Sequence, residues 1–369
     1  MRHFVFGVFI LISLATSLVD AKEADSSQVF ASSLKEFIES LEVGKQKWQG
    51  GAIAILHKGR VIYKTTFGYQ KGKKGRITPH TLFPLASVSK PVAAMALALM
   101  VENKTLSLEK ELRYPCLQDK ITLTHLLSHT TGFFFRGDQQ IERGFTRARL
   151  IKALQQETPK CEIGQCYFYS NITFSLVEEL LNSQRSSLKK AIQLLNAKLK
   201  TQDIRVLPLS SKVTFAYAHA NRRKNAPMKA LPFPSHYVKT VPASAGIYAS
   251  LEAMIKFFKL SFGYRPDLLS RRTLEKFQRP YIKNNDIYKW STKMPCPRKT
   301  LKSFYGLGWR ILETSLAPSK KLIFHSGYIA GVNTFIGYIP AEEMGIIILA
   351  NQSGFSTRKG LEFWGLFLK

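Results

Sequence analysis

The chain has 369 residues, enough for one large domain or two, with a sizeable core. Hydrophobic residues at 45% and charged residues at 21% exclude a disordered, collagen-like or coiled-coil chain. The charge is the departure: 54 Lys and Arg against 25 Asp and Glu give +29, which points to nucleic acid, an anionic membrane surface or an anionic cell envelope as surroundings and says little about chemistry.

Met1-Arg2-His3 is a short positive start, followed by an apolar run from Phe4 to Val19 that is short for a membrane span. Val19-Asp20-Ala21 sets small or short residues at the −3 and −1 positions before Lys22. This predicts a secretory signal peptide over residues 1–21, with an uncleaved N-terminal anchor as the alternative. Its removal deletes one Arg and one Asp, so the mature chain, 22–369, keeps +29. No later segment is long and apolar enough to span a bilayer. The expected location is therefore periplasmic or secreted. There is no zinc-finger spacing, basic-region heptad or aromatic RNA-binding signature, so no specific nucleic acid is expected. The basic clusters Lys71–Arg76 and Arg222-Arg223-Lys224 read as solvated loops whose counter-charge is an anionic envelope polymer.

Four cysteines, Cys116, Cys161, Cys166 and Cys296, allow three complete pairings. Cys161 and Cys166 close a very short loop, so a local bridge is one reading, with the other two paired or free. A metal site is the weaker reading, because neither a C-x-x-C pair nor clustered histidines accompany them.

In chain order, Val29, Phe30, Leu34, Phe37, Ile38 and Leu41 recur at helical spacing. Ala52–Leu56 and Val61–Tyr63 read as a β-hairpin around His57-Lys58-Gly59-Arg60. Ser87–Val101 is a strongly apolar helix with Pro91 tolerated in its first turn. From about 120 to 300 the chain reads as helix and loop, with helices at Leu123–Ser128, Arg147–Gln156, Phe174–Leu181, Leu188–Leu199 and Leu251–Phe262. Strands return at Leu322–Phe324, Asn333–Tyr338 and Gly345–Leu349, with a turn at Pro340–Glu343, and Leu361–Leu368 is a closing helix. The expectation is an α+β fold: one antiparallel sheet from both ends (about 22–85 and 300–369) flanked by helices, with a mainly helical subdomain (about 86–299) inserted and a cleft between.

Ser87-Val88-Ser89-Lys90 sets a hydroxyl and an amine on one helical face. Serine needs a base, and a lysine serves if burial keeps it neutral. Ser-x-x-Lys occurs six times, at Ser32, Ser87, Ser107, Ser186, Ser187 and Ser356, and only Ser87 opens a strongly apolar helix. Tyr169-Ser170-Asn171 is the sole Tyr-x-Asn; it offers a proton shuttle and an orienting amide, and equally reads as a turn with Asn171 capping the next helix. His325-Ser326-Gly327 follows a β-rich run, where a strand edge of small residues lets a substrate backbone pair; a satisfied or exposed strand histidine is the plainer reading.

Taken together, Ser-x-x-Lys, Tyr-x-Asn and His-x-Gly resemble the serine β-lactamase and penicillin-binding superfamily, particularly the class C β-lactamase, D-Ala-D-Ala carboxypeptidase and esterase branch. Thr81-Leu82-Phe83, Leu126–Gly132, Tyr305-Gly306-Leu307-Gly308-Trp309 and Leu349-Ala350-Asn351-Gln352 extend the match from about Gly51 to Asn351. The resemblance implies an acyl-enzyme on Ser87 with a β-lactam or a peptidoglycan-type D-Ala peptide. Lys90 and Tyr169 share the base role; Asn171, His325, Ser326, Gly327 and Asn351 bind substrate; and the backbone N–H groups of Ser87 and Tyr328 form the oxyanion hole. It implies no metal and no cofactor. A carboxylic esterase, or a non-catalytic envelope-binding protein retaining the fold, are the alternatives. The departure from the family is His325, where class C β-lactamases carry the lysine of Lys-Thr-Gly; histidine is only partly charged near neutrality.

Overall fold

The computed structural model describes residues 31–44, 47–112, 121–207, 209, 213–220, 228–232, 235–286 and 295–368. The expected signal segment, Cys116 and Arg222-Arg223-Lys224 lie outside the described residues. The chain divides into two compact units. In the first, residues 31–44 are helical, in line with the periodic run there. The second, Trp48–Leu368, contains the rest of the described chain apart from Lys47. Among the described residues, no helix is long and apolar enough to cross a membrane.

The predicted hairpin forms as β1 (Gly50–His57) and β2 (Arg60–Lys71). Its two-residue turn puts Lys58 and Gly59 at φ 49° and 70°, the paired left-handed geometry that matches strand twist. With β3 (Lys74–Arg76), β4 (Ile282–Asn284), β5 (Leu301–Tyr305), β6 (Arg310–Thr314), β7 (Leu322–Ile329), β8 (Val332–Ile339) and β9 (Met344–Ala350), it builds a nine-stranded sheet in the order β3-β2-β1-β9-β8-β7-β6-β5-β4. Every pairing is antiparallel. The two ends of the chain therefore meet at the β1–β9 seam, where Gly51 pairs with Ala350 and His57 with Met344.

Both faces of the central strands are covered, which is why β1 and β9 read as continuous apolar runs rather than as alternating ones. On one face Phe258 of the Leu251–Ser261 helix lies over Gly345; on the other, Gly360 of the Ser356–Gly365 helix lies against Phe335. The Ser89–Glu102 helix is buried all round from Ser89 to Met100, as expected of a helix at the centre of a core. The helices at Leu123–Ser128 and Leu188–Leu199 have the predicted bounds. Strands β4, β5 and β6 are absent from the sequence reading. They are three to five residues long, and their pairing along the sheet edge, rather than a local pattern, makes them strands.

Two glycines hold this frame against the helix and turn that carry the first motif. A Cβ on Gly308, at φ 81°, would lie 2.7 Å from Ala94 Cβ and 3.1 Å from the Lys90 carbonyl. A Cβ on Gly327 of β7 would overlap the Leu85 carbonyl and Thr334 Oγ1. Gly327→Ala is therefore expected to lower stability by about 1–3 kcal/mol through overpacking, read as a reduced urea midpoint with an unchanged m-value.

Candidate active site

Ser87 sits in a 3-10 turn, Ala86–Val88, that feeds the Ser89–Glu102 helix. Ala86 takes φ 47°, a left-handed conformation that costs a non-glycine residue energy. Its neighbours impose it: Leu85 N–H donates to the Ile247 carbonyl at 2.9 Å, and Thr334 Oγ1 donates to the Leu85 carbonyl at 2.6 Å. The turn leaves Ser87 half-buried at the wall of a cavity while Val88 and Ala86 are buried.

One turn on, Lys90 is fully buried. Its Nζ lies 2.6 Å from Asn171 Oδ1, 3.1 Å from the Ser244 carbonyl and 3.4 Å from Ser87 Oγ. Burial, followed by the nearby Arg310 guanidinium, holds its pKa well below the usual lysine range. A neutral amine has two N–H donors and one lone pair. In that form the donors to Asn171 and Ser244 would leave the lone pair for the Ser87 hydroxyl.

The second motif reaches this lysine through a stapled loop. Cys161 and Cys166 are disulfide-bonded. Gly164 N–H donates to the Thr130 carbonyl at 2.8 Å and Lys160 N–H to the Gly132 carbonyl at 2.9 Å, so the loop is tied to the Leu126–Gly132 segment. His129 then packs 4.4 Å from the Tyr169 ring, centroid to centroid, and its Nδ1 accepts the Ser170 N–H at 3.3 Å. The helix cap is Ser170, whose hydroxyl accepts from Thr173 N–H, and not Asn171 as the local reading allowed. That frees the Asn171 amide for Lys90. Asp138 accepts its Nδ2–H at 3.1 Å and so orients Oδ1 inward; Arg136 donates to the other Asp138 oxygen at 2.8 and 3.0 Å.

Tyr169 is hydrogen-bonded to Ser87, and Lys90 Nζ lies 4.6 Å from its ring centroid. Desolvation pushes the phenol up to about 12, with Arg310 pulling the other way, so Tyr169 rests protonated at neutral pH. Arg310 follows the Tyr305–Trp309 motif directly. It is buried, stands 4.9 Å from the Tyr169 centroid and pairs with buried Asp286 at 2.5 Å. Asp286 also accepts from Tyr167 Oη at 2.8 Å.

His325 is fully buried beside this group. Its Nδ1 lies 2.9 Å from the Ser326 carbonyl, which only accepts, so Nδ1 carries the proton and Nε2 accepts from Tyr305 Oη at 3.0 Å. Burial, with Arg310 and Lys90 nearby, holds it far below its usual pKa. It is a satisfied, neutral core histidine, and the permanent cation beside Tyr169 is Arg310. Ser326 is half-buried, Gly327 makes the close approach to the Ser87 turn, and Tyr328 is exposed at the cavity wall. Asn351 is not brought to the cluster: it is buried at the end of β9, where its amide donates to the Tyr69 carbonyl at 3.0 Å and stands 3.3 Å from His219 Nδ1.

The cavity, about 680 Å³, is lined by Ser87, Tyr169, Asn171 and Tyr328, by the apolar or aromatic Leu231, Tyr237, Tyr248 and Ile329, and by Arg136, Asp138, Glu142 and His236. A second hollow of about 560 Å³ shares Tyr169 and Arg136 with it and runs along 165–168 and 282–286. Strand β6 pairs with β7 only over Leu322–Phe324, and the later residues Tyr328 and Ile329 of β7 line the larger cavity. Sequence reasoning missed Ser244, Asp138, Arg310 and Asp286. Arg310 alone had a local signal, its place directly after Trp309. Asp286→Asn would leave the Arg310 charge buried without its carboxylate, and about 3 kcal/mol of stability should be lost in urea titration.

A family model described as Beta-lactamase matches residues 29–366. The protein named Beta-lactamase of Escherichia coli (strain K12) is 22% identical over 358 residues, 84% of this chain and 86% of its own length. Esterase EstB of Burkholderia gladioli is 37% identical over 95 residues, 22% of this chain and 24% of its own. Among solved structures, the octameric penicillin-binding protein homologue from Pyrococcus abyssi superposes with a TM-score of 0.72 at 22% identity, covering 91% of this chain and 76% of that one. The penicillin binding protein from Bacillus halodurans gives 0.70 at 19% identity, covering 89% and 100%. With a buried Lys90 joined to Ser87 and Asn171 inside the span that the family model matches, the chain belongs to the beta-lactamase family and is a serine hydrolase.

Proposed function

We propose that the protein forms an acyl-enzyme on Ser87 with a D-Ala-type peptide or a β-lactam, and that water then releases the acyl group. The observation that carries this is the arrangement of Lys90: buried, with Nζ 2.6 Å from Asn171 Oδ1, 3.1 Å from the Ser244 carbonyl and 3.4 Å from Ser87 Oγ. In this reading Lys90 takes the Ser87 proton as Oγ attacks the carbonyl carbon. Tyr169, resting as a phenol, donates its proton to the leaving nitrogen or oxygen and is recharged from Lys90. The oxyanion sits between the N–H groups of Ser87 and Tyr328, each such donor being worth ~3 kcal/mol. The β7 edge beyond Phe324 offers backbone groups to an extended substrate.

An ester substrate is the second reading. It is favoured by the neutral His325, which gives a substrate carboxylate no cation, and by the apolar and aromatic cavity wall. We also place this chemistry outside the cytoplasm, on the strength of the segment 1–21. The exposed Lys71, Lys73, Lys74 and Arg76 of the β2–β3 hairpin suit an anionic envelope polymer.

Intact mass after exposure to penicillin should show one adduct, absent in Ser87→Ala; no adduct together with Ser87-dependent turnover of short p-nitrophenyl esters would select the esterase. Lys90 must be neutral to act, so the rate should fall as pH drops through its lowered pKa. Lys90→Arg, which cannot deprotonate, should lose between ~10² and ~10⁴-fold at every pH. Protein recovered from the extracytoplasmic fraction should begin at Lys22 on N-terminal sequencing.

A further inference from the structure

One carboxylate close to the site has no part in this chemistry. Glu178 lies on the Val177–Ser183 helix, which follows the Asn171–Ser175 helix in the chain. Its side chain is only 17% exposed. Oε1 accepts the backbone N–H of Ala243 at 3.1 Å, and the carbonyl of the next residue, Ser244, is the one that Lys90 Nζ bonds at 3.1 Å. The same short helix, Pro242–Ala245, is bound to the second motif from its other side: Ser244 Oγ donates to the Asn171 carbonyl at 2.6 Å and receives the Ser175 hydroxyl proton at 2.9 Å.

Arg147 closes the assembly. It stands 3.7 Å from Glu178 and pairs with Glu179 at 2.5 Å. It also donates to the Thr240 carbonyl at 3.1 Å and to the Ser175 carbonyl at 2.6 Å. Thr240 ends the helix before Pro242, and Ser175 ends the helix that begins with Asn171. Arg147 and Glu178 thus grip, at their far ends, the two segments whose oxygens hold the Lys90 amine.

We propose that Glu178, clamped by Arg147, is a positioning residue for Lys90, acting through the Ala243 N–H and the Ser244 carbonyl. The proposal rests on Lys90 being the base for Ser87. A four-residue helix cannot hold its own carbonyls rigidly, and a carboxylate on its N-terminal N–H groups is the ordinary means of fixing it. The groups facing Glu178 are the Arg147 guanidinium, the Ala243 N–H and the Glu179 carboxylate. Burial outweighs Arg147 and pushes the Glu178 carboxyl up to about 7, so the hydrogen bond to Ala243 is charge-assisted above neutrality and weaker below it. Because the folded pKa is raised, ionisation of Glu178 costs stability as pH rises from the ordinary carboxyl range through about 7. The base is best aligned on the alkaline side, where that cost is borne.

The test is the rate of Ser87 phosphonylation by a fluorescent fluorophosphonate between pH 5 and 9, with Ser87→Ala as blank. Glu178→Gln keeps an acceptor for Ala243 but cannot titrate, so its rate relative to the unsubstituted protein should change at least about threefold between pH 6 and 8. Glu178→Leu should label about tenfold more slowly at pH 8 with the half-saturating probe concentration unchanged. Glu179→Gln leaves the Ala243 bond intact but removes a like charge facing Glu178, so it should keep the labelling rate at pH 8 and move the pH dependence to lower pH. If the Leu variant does not fold by circular dichroism, Glu178→Asp replaces it, with part of the rate restored. A pH-independent Gln ratio together with full-speed labelling of the Leu or Asp variant overturns the positioning role and leaves the Ser87 chemistry standing. Absence of Ser87-dependent labelling in the unsubstituted protein overturns the reading of Lys90 itself, and the positioning role with it.

Discussion

The burial of one amine governs the site. Lys90 is completely enclosed, and a charged ammonium there would face a desolvation penalty that no carboxylate in direct contact offsets. Its bonded partners are neutral oxygens: an amide, a backbone carbonyl and a hydroxyl. Each comes from a different stretch of chain, so the lysine is usable only when the Ser87 turn, the Asn171 helix and the Pro242–Ala245 helix are all in place. Asp138, whose charge acts on Lys90, is held one bond away on the Asn171 amide. It orients the site without neutralising the lysine by direct pairing.

Close approach of backbone supplies the rigidity this requires. Gly308 lets the Tyr305–Trp309 segment lie on the Lys90 carbonyl, and Gly327 lets β7 lie on the carbonyl of Leu85. Between these two contacts the strained Ala86 has no room to relax, and the strain stays where Ser87 needs it. The geometry of the nucleophile is thus a packing result, reached through missing side chains as much as through present ones.

The charge distribution has a similar logic. Acidic residues are scarce in this +29 chain, yet Asp138, Glu178, Glu179 and Asp286 stand around the site. Asp138 meets Arg136, Asp286 meets Arg310, and the two glutamates meet Arg147. Arginine suits these places because it stays charged and spreads its donors over several acceptors. Many of the lysines lie in water, as on the β2–β3 hairpin, where they set the field of the surface.

The amino-acid sequence by itself determined the parts whose signals are local. The Lys58-Gly59 turn, the all-apolar helix after Ser87 and the Ser-x-x-Lys spacing depend on a few neighbouring residues, as do the uninterrupted apolar strands at both ends of the chain. Which of six Ser-x-x-Lys copies mattered was also legible, because burial is written in the apolar run that follows Ser87. Tertiary structure alone decided the rest. Asn171 faces a lysine rather than capping its helix because Ser170 takes the cap. His325 is neutral because the fold closes over it, and Asn351 points to the Tyr69 carbonyl instead of the cleft. Arg310, Ser244 and Glu178 join the site across sequence separations that no local pattern spans. Pairwise contacts between distant segments, and the desolvation that follows from enclosing them, are properties of the assembled fold, and they turn a legible motif into a working set of charges.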